Sequence, residues 1–255
     1  MQKLLLLITF LCSSIIAKPM CSMSGISTWP ATGTVKANPI FILTFYELSR
    51  QIVPGLNKQY AVYLRSGNQR VPLIITETCT GQFRLTQVIL KPAKKLTPGR
   101  EYELVIDSLP KYESALKWNS RLNKPEPTKW KVLKEEDNAL PDWTVLPKYQ
   151  SKSIMYFGCG PSVSVVFNYA ANETGLLVKT TVQNIRTGKY TTYYLESSDA
   201  KTISVGHGMC SGAFDFVDGD EYEASFVLMD GSGNVGCTPS TPIRFTGPTA
   251  KDEMR

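Results

Sequence analysis

Histidine is almost absent from this chain: of 255 residues only His207 carries an imidazole. A zinc site of the HExxH kind or a blue-copper site with its histidine pair needs at least two, so both are excluded within one chain. Long apolar runs are also scarce. The run from Leu4 to Cys12 is roughly half of the ~20 residues a membrane-spanning helix requires, and no later segment comes near that length. No transmembrane segment is expected. Helical periodicity is the third thing missing, since most apolar residues alternate with polar ones instead.

The one apolar run has a different meaning. In MQKLLLLITFLCSSIIA, Lys3 supplies a positive start and Ile15 and Ala17 a small-residue cleavage site, the pattern of a secretory signal peptide over residues 1–17. The mature protein, from about Lys18, is then exported, to the periplasm, the cell surface or the medium. Its composition, 42% hydrophobic and 20% charged, is that of a globular chain rather than a disordered one.

Charge is uneven. Residues 18–150 carry 19 Lys or Arg against 11 Asp or Glu, and residues 151–255 carry 8 against 11. A basic first half can attract anionic partners. Its lysines, among them Lys111, Lys117, Lys124 and Lys129, are scattered between Pro and Glu rather than interleaved with aromatics, which reads as a solvated surface and gives no nucleic-acid partner.

Strand signals run the length of the chain. QYAVYLRSG places Tyr60, Val62 and Leu64 on one face, REYELVID does so with Tyr102, Leu104 and Ile106, and TKWKVLK with Trp130 and Val132. NPIFILTFYEL and GQFRLTQVILKP complete the first set. The second set holds eight candidates: SIMYFG, SVSVVFNYA, TGLLVKTTVQNI, GKYTTYYLES, KTISVG, GAFDFV, EYEASFVLMD and PIRFTG. Short strands separated by Gly, Pro and Asn turns predict β-sandwiches. The chain then divides into a first sandwich over 18–135, a linker over 136–147, a second sandwich over 148–247 and a flexible tail over 248–255. An internal echo supports two copies of one design: LTPGREYELVI and FVDGDEYEASFVL each set a glycine three residues before a tyrosine that opens an alternating strand, as a tyrosine corner requires.

These residues carry a resemblance. TWPATGTVKANPIFILTF, LTPGREYELVI and TKWKV, spanning 27–133, resemble the bacterial Ig-like domains of surface-layer and other exported proteins, and EYEASFVLMDGSGNVG resembles the last strands of fibronectin-type modules. The resemblance implies an all-β protein of two tandem Ig-like or fibronectin-like sandwiches, with no catalytic residue or cofactor to transfer. The opening is also similar to periplasmic copper-carrier domains, but the histidines those domains use are missing. Met20, Cys21 and Met23 are what remains to bind a soft ion such as Cu(I).

Of six cysteines, Cys12 leaves with the signal peptide and five stay. In an oxidising compartment they are read as disulfides. Cys21 with Cys79 would close a loop of about 58 residues, stabilising by roughly 4 kcal/mol in the chain-entropy model. Cys210 pairs with Cys159 or Cys237; Cys159 is the expected partner, which leaves Cys237 as a spare thiol. Cys210 lies in GHGMCSG, whose G-x-C-x-G spacing imitates a nucleophile elbow and raises a cysteine hydrolase as an alternative function. The alternating AFDFVDGDEYEASFVL that follows cannot be the helix behind an elbow. DGSGN at 230–234 imitates half an EF-hand, but its glycine position is Val235 and its terminal glutamate position Thr241. Within GKYTTYYLES, Tyr190 and Tyr193 fall on opposite faces, so one of them is expected on the surface, where it could stack on a sugar or dock a protein. The function these readings imply is non-enzymatic, binding or structural, with an envelope protein or glycan as partner.

Overall fold

A computed structural model describes residues 24–31, 33–197, 201–236 and 241–253. The expected signal peptide over 1–17, Met20, Cys21, Met23 and Cys237 lie outside the described residues.

The first half folds into β1 (Gly25–Trp29), β2 (Gly33–Val35), β3 (Phe41–Tyr46), β4 (Val62–Ser66), β5 (Gln69–Thr80), β6 (Leu85–Pro92), β7 (Glu101–Ile106), the short pair β8 (Lys117–Asn119) and β9 (Lys124–Glu126), and β10 (Lys129–Val132). The hydrogen-bonded order is β1-β3-β6-β5-β4-β7-β10-β2. Its pairs are antiparallel except β2 with β10. β5 serves two layers: Gln69–Pro72 pairs with β4, and Leu73–Thr80 with β6, past a bulge between Ile75 and Glu77. Pro72 stands inside this strand. The proline is tolerated where the strand passes from one partner to the next. Phe41, Leu43, Phe45, Val88 and Leu90 face Leu64, Tyr102, Leu104, Trp130 and Val132 across the interior.

The second half folds into β11 (Trp143–Phe157), β12 (Gly160–Ala171), β13 (Leu177–Asn184), β14 (Tyr190–Glu196), β15 (Thr202–His207), β16 (Glu221–Met229) and β17 (Ile243–Thr246). β11-β12-β15 lies against β14-β13-β16-β17, the three-plus-four arrangement of a fibronectin-like sandwich. GAFDFV forms no strand, although Phe214 is fully buried, because its backbone bonds to the first half instead. Residues 248–253 were expected to be a flexible tail; instead Thr249 caps a 3-10 turn over Ala250–Asp252, and Asp252 pairs with Lys152 at 3.3 Å.

Both tyrosine corners form as the sequence predicts. The Tyr102 hydroxyl accepts from Thr97 N at 3.1 Å and the Tyr222 hydroxyl from Val217 N at 2.7 Å. Gly99 (φ 79°) and Gly219 (φ 72°) adopt the left-handed turn that brings each loop back over its ring.

The two sandwiches share apolar packing. Every residue of β6 from Leu85 to Leu90 is buried: Val88 and Leu90 point into the first core, while Leu85 and Ile89 join Ile40 and Ile42 against the second. One sheet of the first sandwich is therefore covered on both faces, and a burial pattern without alternation is the result.

Candidate functional site

The motif GHGMCSG builds a junction rather than a cleft. It leaves β15 at His207 and turns through a Gly208 N to Ser211 O bond of 3.0 Å. It then meets the tip of the β5–β6 hairpin, where Phe83 and Gly212 exchange backbone bonds of 3.1 and 2.8 Å and Gln82 N donates to Ala213 O at 2.9 Å. A Cβ on Gly212 would lie 2.2 Å from the His207 Cβ, so this close crossing requires glycine. The His207 ring packs on Phe83 at 4.9 Å between centroids. Its Nδ1 lies 2.7 Å from Gly208 O, and its Nε2 lies 3.3 Å from Asp215 Oδ1. Both nitrogens face acceptors, which only the imidazolium satisfies by donating twice. Burial pulls its pKa down, but the Asp215 and Gly208 bonds outweigh that and leave it raised.

The cysteine assignments are corrected here. Cys79 and Cys159 are free thiols, so neither the Cys21–Cys79 nor the Cys159–Cys210 bridge forms. Cys210 is disulfide-bonded and has no thiol to act as a nucleophile. Cys79 instead donates to Glu77 Oε1 at 3.6 Å, beneath the second sandwich. Burial first, and then the Glu77 charge, push that thiol up to about 12. Glu77 also accepts from Lys179 at 2.8 Å and from the Tyr194 hydroxyl at 2.7 Å. Burial alone would raise this carboxyl, but those donors hold it below the usual range.

The two tyrosines divide as opposite faces should, though not into a platform. Tyr190 is 71% exposed, whereas Tyr193 is 3% exposed in the shared core, so of the two candidate binding tyrosines Tyr190 is the surface one and Tyr193 is corrected to a core residue. Next to it, Gln87 from β6 donates to Tyr194 O at 2.9 Å and accepts from Tyr194 N at 3.0 Å, so a side-chain amide meets the backbone of β14 as a neighbouring strand would.

The DGSGN turn is a second clasp. Asp230 Oδ1 accepts from Ser232 N and Asn234 N at 2.8 and 2.9 Å, and Oδ2 accepts from the Asn234 amide at 2.7 Å, so the carboxylate is spent inside its own loop. Gly231 O then accepts from Ile40 N at 2.9 Å, and Asn38 and Asn234 both donate to Asp137 O. The linker is thus pinned by both sandwiches.

What projects from this body is residues 107–128, between β7 and β10. Its base is tied down by Ser49 donating to Glu113 at 2.7 Å. Its tip is the β8–β9 hairpin, in which Trp118 lies opposite Pro125. Asn119 organises the turn: its Oδ1 accepts from Arg121 N and Leu122 N at 3.0 and 3.2 Å, and its amide donates to Glu126 at 2.7 Å. Tyr112, Leu116, Trp118 and Leu122 are all exposed. A groove of about 520 Å³ runs between Trp118, Arg121 and Glu126. Lys111, Lys117 and Lys124 in this segment read from sequence as a solvated surface, which gives Trp118 no role. The available signal was a long polar gap between two strand runs, holding a tryptophan with no alternating neighbours to bury it.

No family model matches the chain, and no curated protein matches it. Among solved structures, it is similar to the chicken CNTN1 FN1–FN3 domains at 13% identity (90% of this chain, 68% of that one, TM-score 0.26). It is also similar to the S-layer protein rSbsC(31-844) at 10% identity (88% of this chain, 26% of that one, TM-score 0.28). A third is pullulanase from Anoxybacillus sp. LM18-11 at 9% identity (81% of this chain, TM-score 0.25), of which this chain spans only 24%. These superpositions add nothing to the strand topology, on which the fold rests. Among the described residues no helix is long and apolar enough to cross a membrane.

Proposed function

We propose that this chain is a non-enzymatic exported protein of Ig-like sandwiches that works by binding, at the bacterial envelope or outside the cell, with residues 107–128 as its recognition element. The observation that carries this reading is the set of large apolar side chains, Tyr112, Trp118 and Leu122, held in solvent on a segment anchored at both ends by strands of the first sandwich. Rigid sandwiches characteristically present recognition on loops of this kind. The leader-like opening supports export. The reading is tested by immobilising the mature protein and capturing partners from solubilised envelope material. Enrichment over a charge-matched control, lost in the double variant Trp118→Ala, Leu122→Ala, is expected. Capture unchanged by that variant would remove the hairpin from the function.

A further inference from the structure

We infer that the groove beside Trp118 binds a chain of acidic sugars, meaning hexose units that carry carboxylate or sulfate; this rests on the binding role proposed above and names its ligand class. The groove, at about 520 Å³, falls in the range of sites that take small ligands or a few units of a longer one. Its wall holds one exposed aromatic face, with Trp118 59% accessible, and apart from Pro127 the rest of the lining is polar. A pyranose ring matches that arrangement, since its axial C–H face stacks on an indole while its hydroxyls bond to groups at the rim.

The rim groups are held in place. Asn119 is fixed by its bonds to Arg121 N, Leu122 N and Glu126. Glu126 is matched by Lys124 at 3.4 Å, so it presents no net repulsion to an anion. Bonding from Asn119 and the nearby lysines keep its carboxyl below the usual pKa, ionised and available to accept from hydroxyls. Lys117 and Arg121 line the same groove, and neither has an acidic partner among the described residues. Two unmatched cations flanking a stacking face call for a ligand with its own negative charge, and the guanidinium suits a carboxylate or sulfate because it can bond both oxygens at once.

A protein partner would rest on Tyr112, Leu116 and Leu122 as well, whereas the groove itself is lined by Lys117, Asn119, Ser120, Arg121 and Glu126 beside Trp118, polar groups that a dry protein interface would have to desolvate. An anionic membrane would use Trp118 and Leu122 as well, but it would leave the concave polar wall of Asn119 and Glu126 unused, at the cost of desolvating it.

The mature protein is titrated with an oligogalacturonate, a heparin-derived hexasaccharide and neutral maltohexaose by isothermal titration calorimetry, and with phosphatidylglycerol vesicles by sedimentation. At least one acidic oligosaccharide is expected to bind about tenfold or more tightly than maltohexaose. Trp118→Ala should weaken it about tenfold, Trp118→Phe should restore part of the loss, and Arg121→Ala should weaken it and flatten its salt dependence. The two acidic probes separate carboxylate from sulfate recognition. Trp118 and Arg121 are exposed, so both variants should keep the parent melting temperature. Equal affinity for neutral and acidic sugars, affinity unaffected by Trp118→Ala, or Trp118-dependent binding to vesicles alone would each overturn the assignment. If no sugar binds yet envelope capture still depends on Trp118, the ligand class fails and the binding role stands; if capture is also indifferent to Trp118, both fail.

Discussion

Cys79, Cys159 and Cys210 sit in three different chemical settings. Reactivity follows the thiolate, so a buried thiol pushed up to about 12 is inert, a partly exposed one in a hairpin turn is not, and a bridged one offers no thiol. Iodoacetamide is therefore expected to label Cys159 in the native protein, Cys79 only after denaturation and Cys210 only after reduction. Sequence could count these thiols and identify an odd one, but it could not pair them, because pairing depends on which loops meet across the seam.

The β5–β6 tip and the 206–215 loop make one joint, and its pH dependence can be derived. His207 is raised above its usual 6.5, so its contribution is full below that value and is lost as pH climbs through the higher folded value. Asp215 is lowered below 3.8, chiefly by its bond to His207, so its contribution is present above 3.8 and disappears as pH falls through its folded value. The stability gap between the parent and Asp215→Asn should accordingly be widest near pH 5 and close toward pH 9. Urea midpoints across that range measure it. A gap that stays constant with pH would show that the ion pair does not form. At this scale some features were legible and others were not. The tyrosine corners could be read directly, since Tyr102 and Tyr222 each bond a backbone nitrogen only five residues away. The role of GHGMCSG could not, because its partners Gln82 and Phe83 are more than a hundred residues distant.

Across the whole molecule the two sandwiches are bound by apolar contact and by two clasps, around Gly212 and Gly231. Ile42, Leu85 and Ile89 of the first sandwich belong to the same buried cluster as Phe167, Phe214 and Phe226 of the second. The protein should therefore unfold in one cooperative transition, with calorimetric and van't Hoff enthalpies equal. Ile89→Ala, which opens a hole in that seam, should destabilise this single transition by about 2–5 kcal/mol. Two separate transitions, only one of them shifted by the substitution, would mean that the halves fold independently.

By itself the sequence determined what is local: alternation that makes strands, glycines that permit turns, tyrosines that bond the chain just behind them, and the absence of a second histidine. Tertiary structure decided what covers each surface. Val88-Ile89-Leu90 reads as one more apolar strand until a second sandwich is laid over Ile89, and Trp118 reads as one more aromatic until nothing is laid over it. The physical reason is that backbone preference acts over a few residues, whereas burial depends on a partner surface that can come from anywhere in the chain.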